Sequence, residues 1–362
     1  GGGVLRVVEA HAKLGETGEE HALAVLAWRT MVLTPTVEAT LIRRYPRVLA
    51  AHHTARLDFL LWEGEFLAAR RMFPRVTEGW RHLAEARMAL ARAAPGVDAL
   101  IEKVPEPRRA DPGLAYERFA WRARKGRSED AIALLRATST GAAALGEPER
   151  WASWRRIYAR QAMRDGDMPL AYEIASTHHL VAGAAFADLE WLAGYLALRF
   201  LEDPETALSH FERFEAAVKT PISLGRGGYW RGRAHTALGD TEAAQQAYTQ
   251  GATWQTSFYG LLSAEAADLP LDASMAGREV FPAIPTTSLA NNSVLAAGLL
   301  LLEAEEPALA ERFLTHLVES LERPEAGALG KLMLDLGEPH IALMIGKRAA
   351  SGGMVLPAAY FP

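Results

Sequence analysis

The chain contains no cysteine, which excludes disulfides and thiolate metal sites and fits either the cytoplasm or the periplasm. Lysine is scarce, so the basic charge is carried mostly by arginine. With a formal net charge of -5, the chain does not read as a basic nucleic-acid scaffold. It also lacks a long hydrophobic run. The longest candidate, Val294 to Leu302, is too short to cross a bilayer and ends at Glu303. Period-two alternation of Val, Ile and Thr is missing, so no substantial sheet is expected. No signal peptide is visible. Gly1-Gly2-Gly3 at one end and Tyr360-Phe361-Pro362 at the other read as the flanks of a longer chain.

Ala, Leu, Arg and Glu are abundant, and all four are good helix formers. At 49% hydrophobic and 23% charged residues the composition is globular rather than disordered. A length of 362 residues exceeds one ordinary domain, so several domains or a repeat array are expected.

One local pattern recurs. A helical stretch ends at Gly, and five residues later a small Ala falls on the next helix. The pairs are Gly64 with Ala69, Gly126 with Ala131, Gly166 with Ala171, Gly239 with Ala244, and Gly337 with Ala342. Two shorter variants use an acid followed by proline: Asp203-Pro204 with Ala207, and Glu306-Pro307 with Ala310. Adjacent copies are spaced by roughly 32 to 40 residues, the range of helix-hairpin repeats. Gly stops the first helix, Pro starts the second at no cost, and Ala lets the two approach. Phe73, Leu135, Phe211 and Tyr248 follow one turn after the Ala and are expected to fill the groove.

The pattern resembles a degenerate tetratricopeptide repeat. The expected fold is all-α: a superhelical solenoid of tetratricopeptide-like hairpins, with roughly twenty helices. Breaks are expected at Val104 to Pro112 and at Leu269 to Asn292, which holds Pro270, Pro282 and Pro285. That divides the chain into a helix-repeat region 1–268, an irregular linker 269–292, and a helical region 293–362.

The usual chemical signatures are missing. The glycines of Leu224-Gly225-Arg226-Gly227-Gly228 do not fit dinucleotide spacing and follow no strand. They are read as sites of close helix packing. The pairs His52-His53 and His178-His179 would point to different sides of a helix, so neither ligates one metal, and a solvated or capping role is expected. Asp165 with Asp167, and Glu303 with Glu305 and Glu306, read as turn and cap residues rather than as a carboxylate pair for glycoside cleavage. No catalytic residue, metal site or cofactor is assigned.

The stretch from Phe186 to Gly260 is the most informative. It runs through Ala187-Asp188-Leu189-Glu190-Trp191-Leu192-Ala193-Gly194, then Thr220-Pro221-Ile222-Ser223 and Tyr229-Trp230-Arg231-Gly232-Arg233-Ala234. It ends on Thr256-Ser257-Phe258-Tyr259-Gly260. In order and spacing this resembles the superhelical domain of soluble lytic transglycosylases of the bacterial periplasm. Weaker similarity covers Arg56-Leu57-Asp58, Asp111-Pro112-Gly113-Leu114 and Leu356-Pro357-Ala358-Ala359-Tyr360-Phe361-Pro362.

The resemblance implies a ring-forming superhelix, followed by a lysozyme-like domain that cleaves peptidoglycan glycan strands to 1,6-anhydromuramyl products. The family's catalytic acid is a Glu followed by Ser, with a Gly-Leu-Met-Gln motif further on. Here Glu319-Ser320 precedes Gly330-Lys331-Leu332-Met333, and the Gln is missing, so Glu319 is not taken as that acid. The implied partners are peptidoglycan glycan strands, a catalytic domain of the same protein and other cell-wall proteins. The implied location is the periplasm. Residues suited to hold glycan are Arg226, Tyr229, Trp230, Arg233 and Tyr259, because aromatic faces stack on sugars and Arg pairs with carboxylates. For the three aromatics packing is the competing role, and for Arg226 and Arg233 a merely solvated one. The alternative function is a standalone solenoid that binds protein partners.

Overall fold

The computed structural model describes residues 2–362. Helices account for 77% of the chain, and no strand occurs among the described residues, so the fold is the all-α, solenoid-type stack of helix hairpins that the repeats predict. The helices form two compact units. One comprises the residues up to Arg160 together with Thr177–Leu180; the other comprises Gln161–Ser176 and Val181–Pro362.

In the first unit the hairpins include His53–Trp62 with Phe66–Arg71 and Pro112–Arg124 with Ser128–Thr138. In the second they include Gly183–Phe200 with Pro204–Ala217, Pro221–Leu238 with Thr241–Gly251, and Ser293–Glu303 with Pro307–Leu317. Arg323–Asp335 with Pro339–Ser351 is the last of these.

The hairpin turns share one construction. At Gly64 the φ angle is +71°, the Glu65 N–H bonds the Leu60 carbonyl at 2.9 Å, and the Gly64 N–H bonds the Leu61 carbonyl at 3.2 Å. This pair of hydrogen bonds, one from the left-handed residue and one from the residue after it, satisfies carbonyls that the ending helix leaves open. The same pair of bonds recurs at Gly126, Gly166, Gly239 and Gly337. At Glu305 it is made by a non-glycine residue with φ +58°.

The alanines also share one position. In all seven hairpins the Ala N–H bonds the carbonyl of the residue just before the second helix, which places the Ala fourth in that helix. None of the seven is more than 5% exposed. Counted from the helix start, the two proline variants therefore match the glycine copies; the Glu305 turn matches too, with a non-glycine residue, and only the turn before Asp203 is bonded differently. Leu135, Phe211 and Tyr248 are buried behind their alanines, whereas Phe73 sits half-buried in a 3-10 turn.

Where proline clusters, regular helix gives way. Glu106–Arg108 is a 3-10 turn, and the segment before Ser293 holds three more, Ala273–Ala276, Ile284–Thr286 and Ser288–Asn291. The core of the first unit surrounds Trp28, Leu41, Leu57 and Leu60. It also contains an ion pair: Arg56 and Glu38 are both buried, 3.3 Å apart, and Arg71 adds a second guanidinium at 2.9 Å. Arg56 also donates to the carbonyls of Trp28 and Met31, which lie at a helix end.

Two local expectations are corrected. His178 is not solvated. It is 3% exposed, and its ring nitrogen accepts the N–H of Leu180 at 2.9 Å. His53 packs edge-on against Trp28, and burial lowers its pKa. Asp167 does cap a helix, accepting from the Leu170 N–H.

Candidate functional site

The Pro221–Leu238 helix organises the second unit because three of its glycines have neighbours where a side chain would sit. A Cβ on Gly225 would meet the Ser257 Oγ at 2.6 Å, one on Gly228 the Gly251 Cα at 2.6 Å, and one on Gly232 would overlap the Tyr248 ring. The glycines that fail as a phosphate loop thus serve as a contact strip for the next two helices. Thr220 and Pro221 open the helix, but the Thr220 side chain caps no backbone N–H. It donates instead to the Ser223 hydroxyl at 3.1 Å.

Ser257, Tyr259 and Gly260 then have separable roles. The Ser257 hydroxyl is buried, donates to the Trp254 carbonyl at 2.8 Å, and accepts the Gly260 N–H at 3.1 Å as the helix cap. Gly260 is required because a Cβ there would overlap that same Trp254 carbonyl. Tyr259 is thereby carried against the Pro221–Leu238 helix.

All five residues named from sequence come together here. The Tyr229 ring lies 5.5 Å from Tyr259 and 5.5 Å from Trp230. The Arg226 guanidinium covers Trp191 at 5.0 Å and Tyr259 at 5.6 Å. Arg233 lies over the Tyr229 ring at 5.8 Å and donates to its hydroxyl at 3.0 Å. Among the described residues neither arginine has a carboxylate partner in ion-pair range, and the Arg226 Nε finds no acceptor. A guanidinium held by ring faces keeps its N–H edge available for an anion.

The five are not equivalent. Trp230 is 7% exposed and packs among Tyr195, Phe211 and Ala234. It supports the cluster from below. Tyr229, Tyr259, Arg226 and Arg233 are half-buried. Sequence reading passed over Trp191 as a site residue, although its spacing from Tyr195 marked it; it is the ring beneath Arg226.

A second concave feature lies wholly in the first unit. It is a cleft of about 800 Å³ whose lining includes His21, Arg29, Asp58, Phe59, Trp62 and Asp111. Beneath it Arg87, 1% exposed, directs one nitrogen to both carboxylates, at 2.5 Å from Asp58 and 3.5 Å from Asp111. Its guanidinium lies 4.9 Å from the Trp62 ring, and its Nε and Nη2 have no hydrogen-bond partner. Burial pushes the Asp111 carboxyl up, against the opposing pull of Arg87 and of the Leu114 N–H that it caps.

Glu319 is exposed and ion-paired to Arg348, with His316 at 3.4 Å. Among the described residues no cluster of His, Asp or Glu is arranged to hold a metal ion, and no helix is long and apolar enough to cross a membrane. No protein-family model matches the chain, and no curated protein matches it in sequence.

Proposed function

We propose that this chain is the non-catalytic superhelical scaffold of a periplasmic lytic transglycosylase, and that it guides peptidoglycan glycan strands and supports the catalytic domain. The observation that carries the reading is the Phe186–Gly260 stretch. Its motif residues do interlocking work: contact glycines on one helix, a capping Ser257 and obligatory Gly260 on another, and a ring-and-guanidinium cluster between them.

Half-buried rings offer sugars a flat apolar face. Arg226 and Arg233, free of carboxylates, suit the lactyl and stem-peptide carboxylates of peptidoglycan.

The test is co-sedimentation of the purified chain with peptidoglycan sacculi. Binding that weakens with salt and with Arg226→Ala supports the scaffold reading. Retention of a protein partner without any affinity for sacculi would favour a standalone solenoid instead.

A further inference from the structure

The cleft of the first unit has the composition of a binding site for a neutral, hydroxyl-rich molecule. Its lining is partly apolar, with Val25, Leu26 and Phe59. It also holds the carboxylates Asp58, Asp111 and Glu147. Arg29 lies in the lining, Arg87 pairs with Asp58 and Asp111, and Arg150 pairs with Glu147 and Glu63. Carboxylates already held in ion pairs disfavour capture of a simple cation. What the site offers is hydrogen-bond acceptors beside donors, together with apolar side chains.

The geometry is held from below. Arg87 ties both aspartates to one nitrogen. Asp58 keeps 38% of its side chain exposed, leaving acceptor positions open to the cleft. Two glycines of the lining leave room for nothing larger. A Cβ on Gly113 would overlap the Arg87 guanidinium, and one on Gly146 would meet Pro112 at 2.8 Å and Trp62 at 2.9 Å. Backbone therefore lines the cleft where it meets the buried arginine.

We propose that this cleft binds a saccharide. A pyranose ring has an apolar C–H face for Leu26 and Phe59 and a rim of hydroxyl and amide groups for the carboxylates and Arg29. Concave sites with an apolar lining and a few placed polar groups are the ordinary form of small-ligand pockets. The inference rests on the glycan-scaffold reading and adds a glycan contact distinct from the Arg226 cluster.

The experiment is calorimetric titration of the whole chain with an oligosaccharide of four N-acetylglucosamine units. Free lysine and acetate serve as charge-only probes. Saturable binding of the tetrasaccharide is expected. It should weaken at least tenfold in Asp58→Asn, and equally in Ala22→Trp, which fills the exposed mouth of the cleft without touching Arg87. Glu319→Gln, at an exposed position of the second unit, should leave it within about twofold. No binding, binding indifferent to both cleft variants, or equal binding of lysine or acetate would overturn the proposal. Sacculus binding that persists in both cleft variants while Arg226→Ala abolishes it would leave the scaffold reading standing and remove only this inference.

Discussion

Gly228 and Gly251 face each other across two helices with no room for a side chain: a Cβ on Gly228 would lie 2.6 Å from both the Cα and the nitrogen of Gly251. Those atoms are backbone and cannot step aside as a flexible side chain could. Gly228→Ala should therefore destabilise the second unit by about 1–3 kcal/mol through overpacking, although alanine is the better helix former by about 1 kcal/mol. Gly18 is the counter-case. It too is helical, but a Cβ there meets nothing within 4 Å. Gly18→Ala should stabilise by roughly 0.5–1 kcal/mol. Urea denaturation of the two variants side by side separates packing from propensity.

The hairpin turns make a second prediction. Glu305 holds a left-handed conformation, φ +58°, at the position occupied by glycine in five other turns. Glu305→Gly should raise stability by about 1 kcal/mol, since the strain of a β-carbon in that region costs roughly 1–2 kcal/mol. Gly239→Ala should lower it by a similar amount, because nothing but the backbone angle opposes the new methyl group. Shifts of equal sign in the two variants would contradict the shared turn.

These turns also show what the sequence made legible. Gly and Ala at fixed spacing identify the hairpins, because a left-handed stop and a small contact residue are local requirements. Counting from glycine split the copies into two classes, whereas counting from the helix start unites them, and helix starts are poorly visible in sequence. The Arg226–Tyr259 cluster was legible because its residues fall within one motif-rich stretch. Trp191 was not recognised as its floor, since that role depends on the crossing of two helices. The cleft was not legible at all. Only Asp58 and Trp62 share a helix; His21, Asp111 and Gly146 come from three other elements, and no spacing rule brings them together.

The buried Glu38–Arg56 pair gives a third prediction. Arg56 is fully buried, so Glu38→Leu leaves a guanidinium without its carboxylate and should cost about 3–5 kcal/mol. Adding Arg56→Met should recover part of that loss. It will not recover all of it, because the Trp28 and Met31 carbonyls lose their donor. A double variant no more stable than Glu38→Leu alone would show that the carbonyl bonds matter more than the ion pair.

Tyr45 supplies a pH dependence. It is 4% exposed, its hydroxyl donates to Glu20 at 2.6 Å, and burial together with that bond pushes its pKa up to about 12. A tyrosine whose folded pKa exceeds its unfolded value contributes stability that is complete below the ordinary value of 10 and lost as pH rises to about 12. Tyr45→Phe should cost about 1–3 kcal/mol at neutral pH and flatten the stability profile across that window. Absorbance titration of the folded protein should lose a phenol that titrates at about 12 in the variant.

Binding to intact peptidoglycan is the most direct measurement of what this chain does. The purified chain should co-sediment with sacculi. A variant carrying Arg226→Ala and Tyr259→Ala should bind at least tenfold more weakly while keeping its helical circular dichroism, and neither protein should release 1,6-anhydromuropeptides. Absence of sacculus binding, binding indifferent to both substitutions, or release of anhydromuropeptides by this chain alone would contradict a non-catalytic glycan-guiding scaffold.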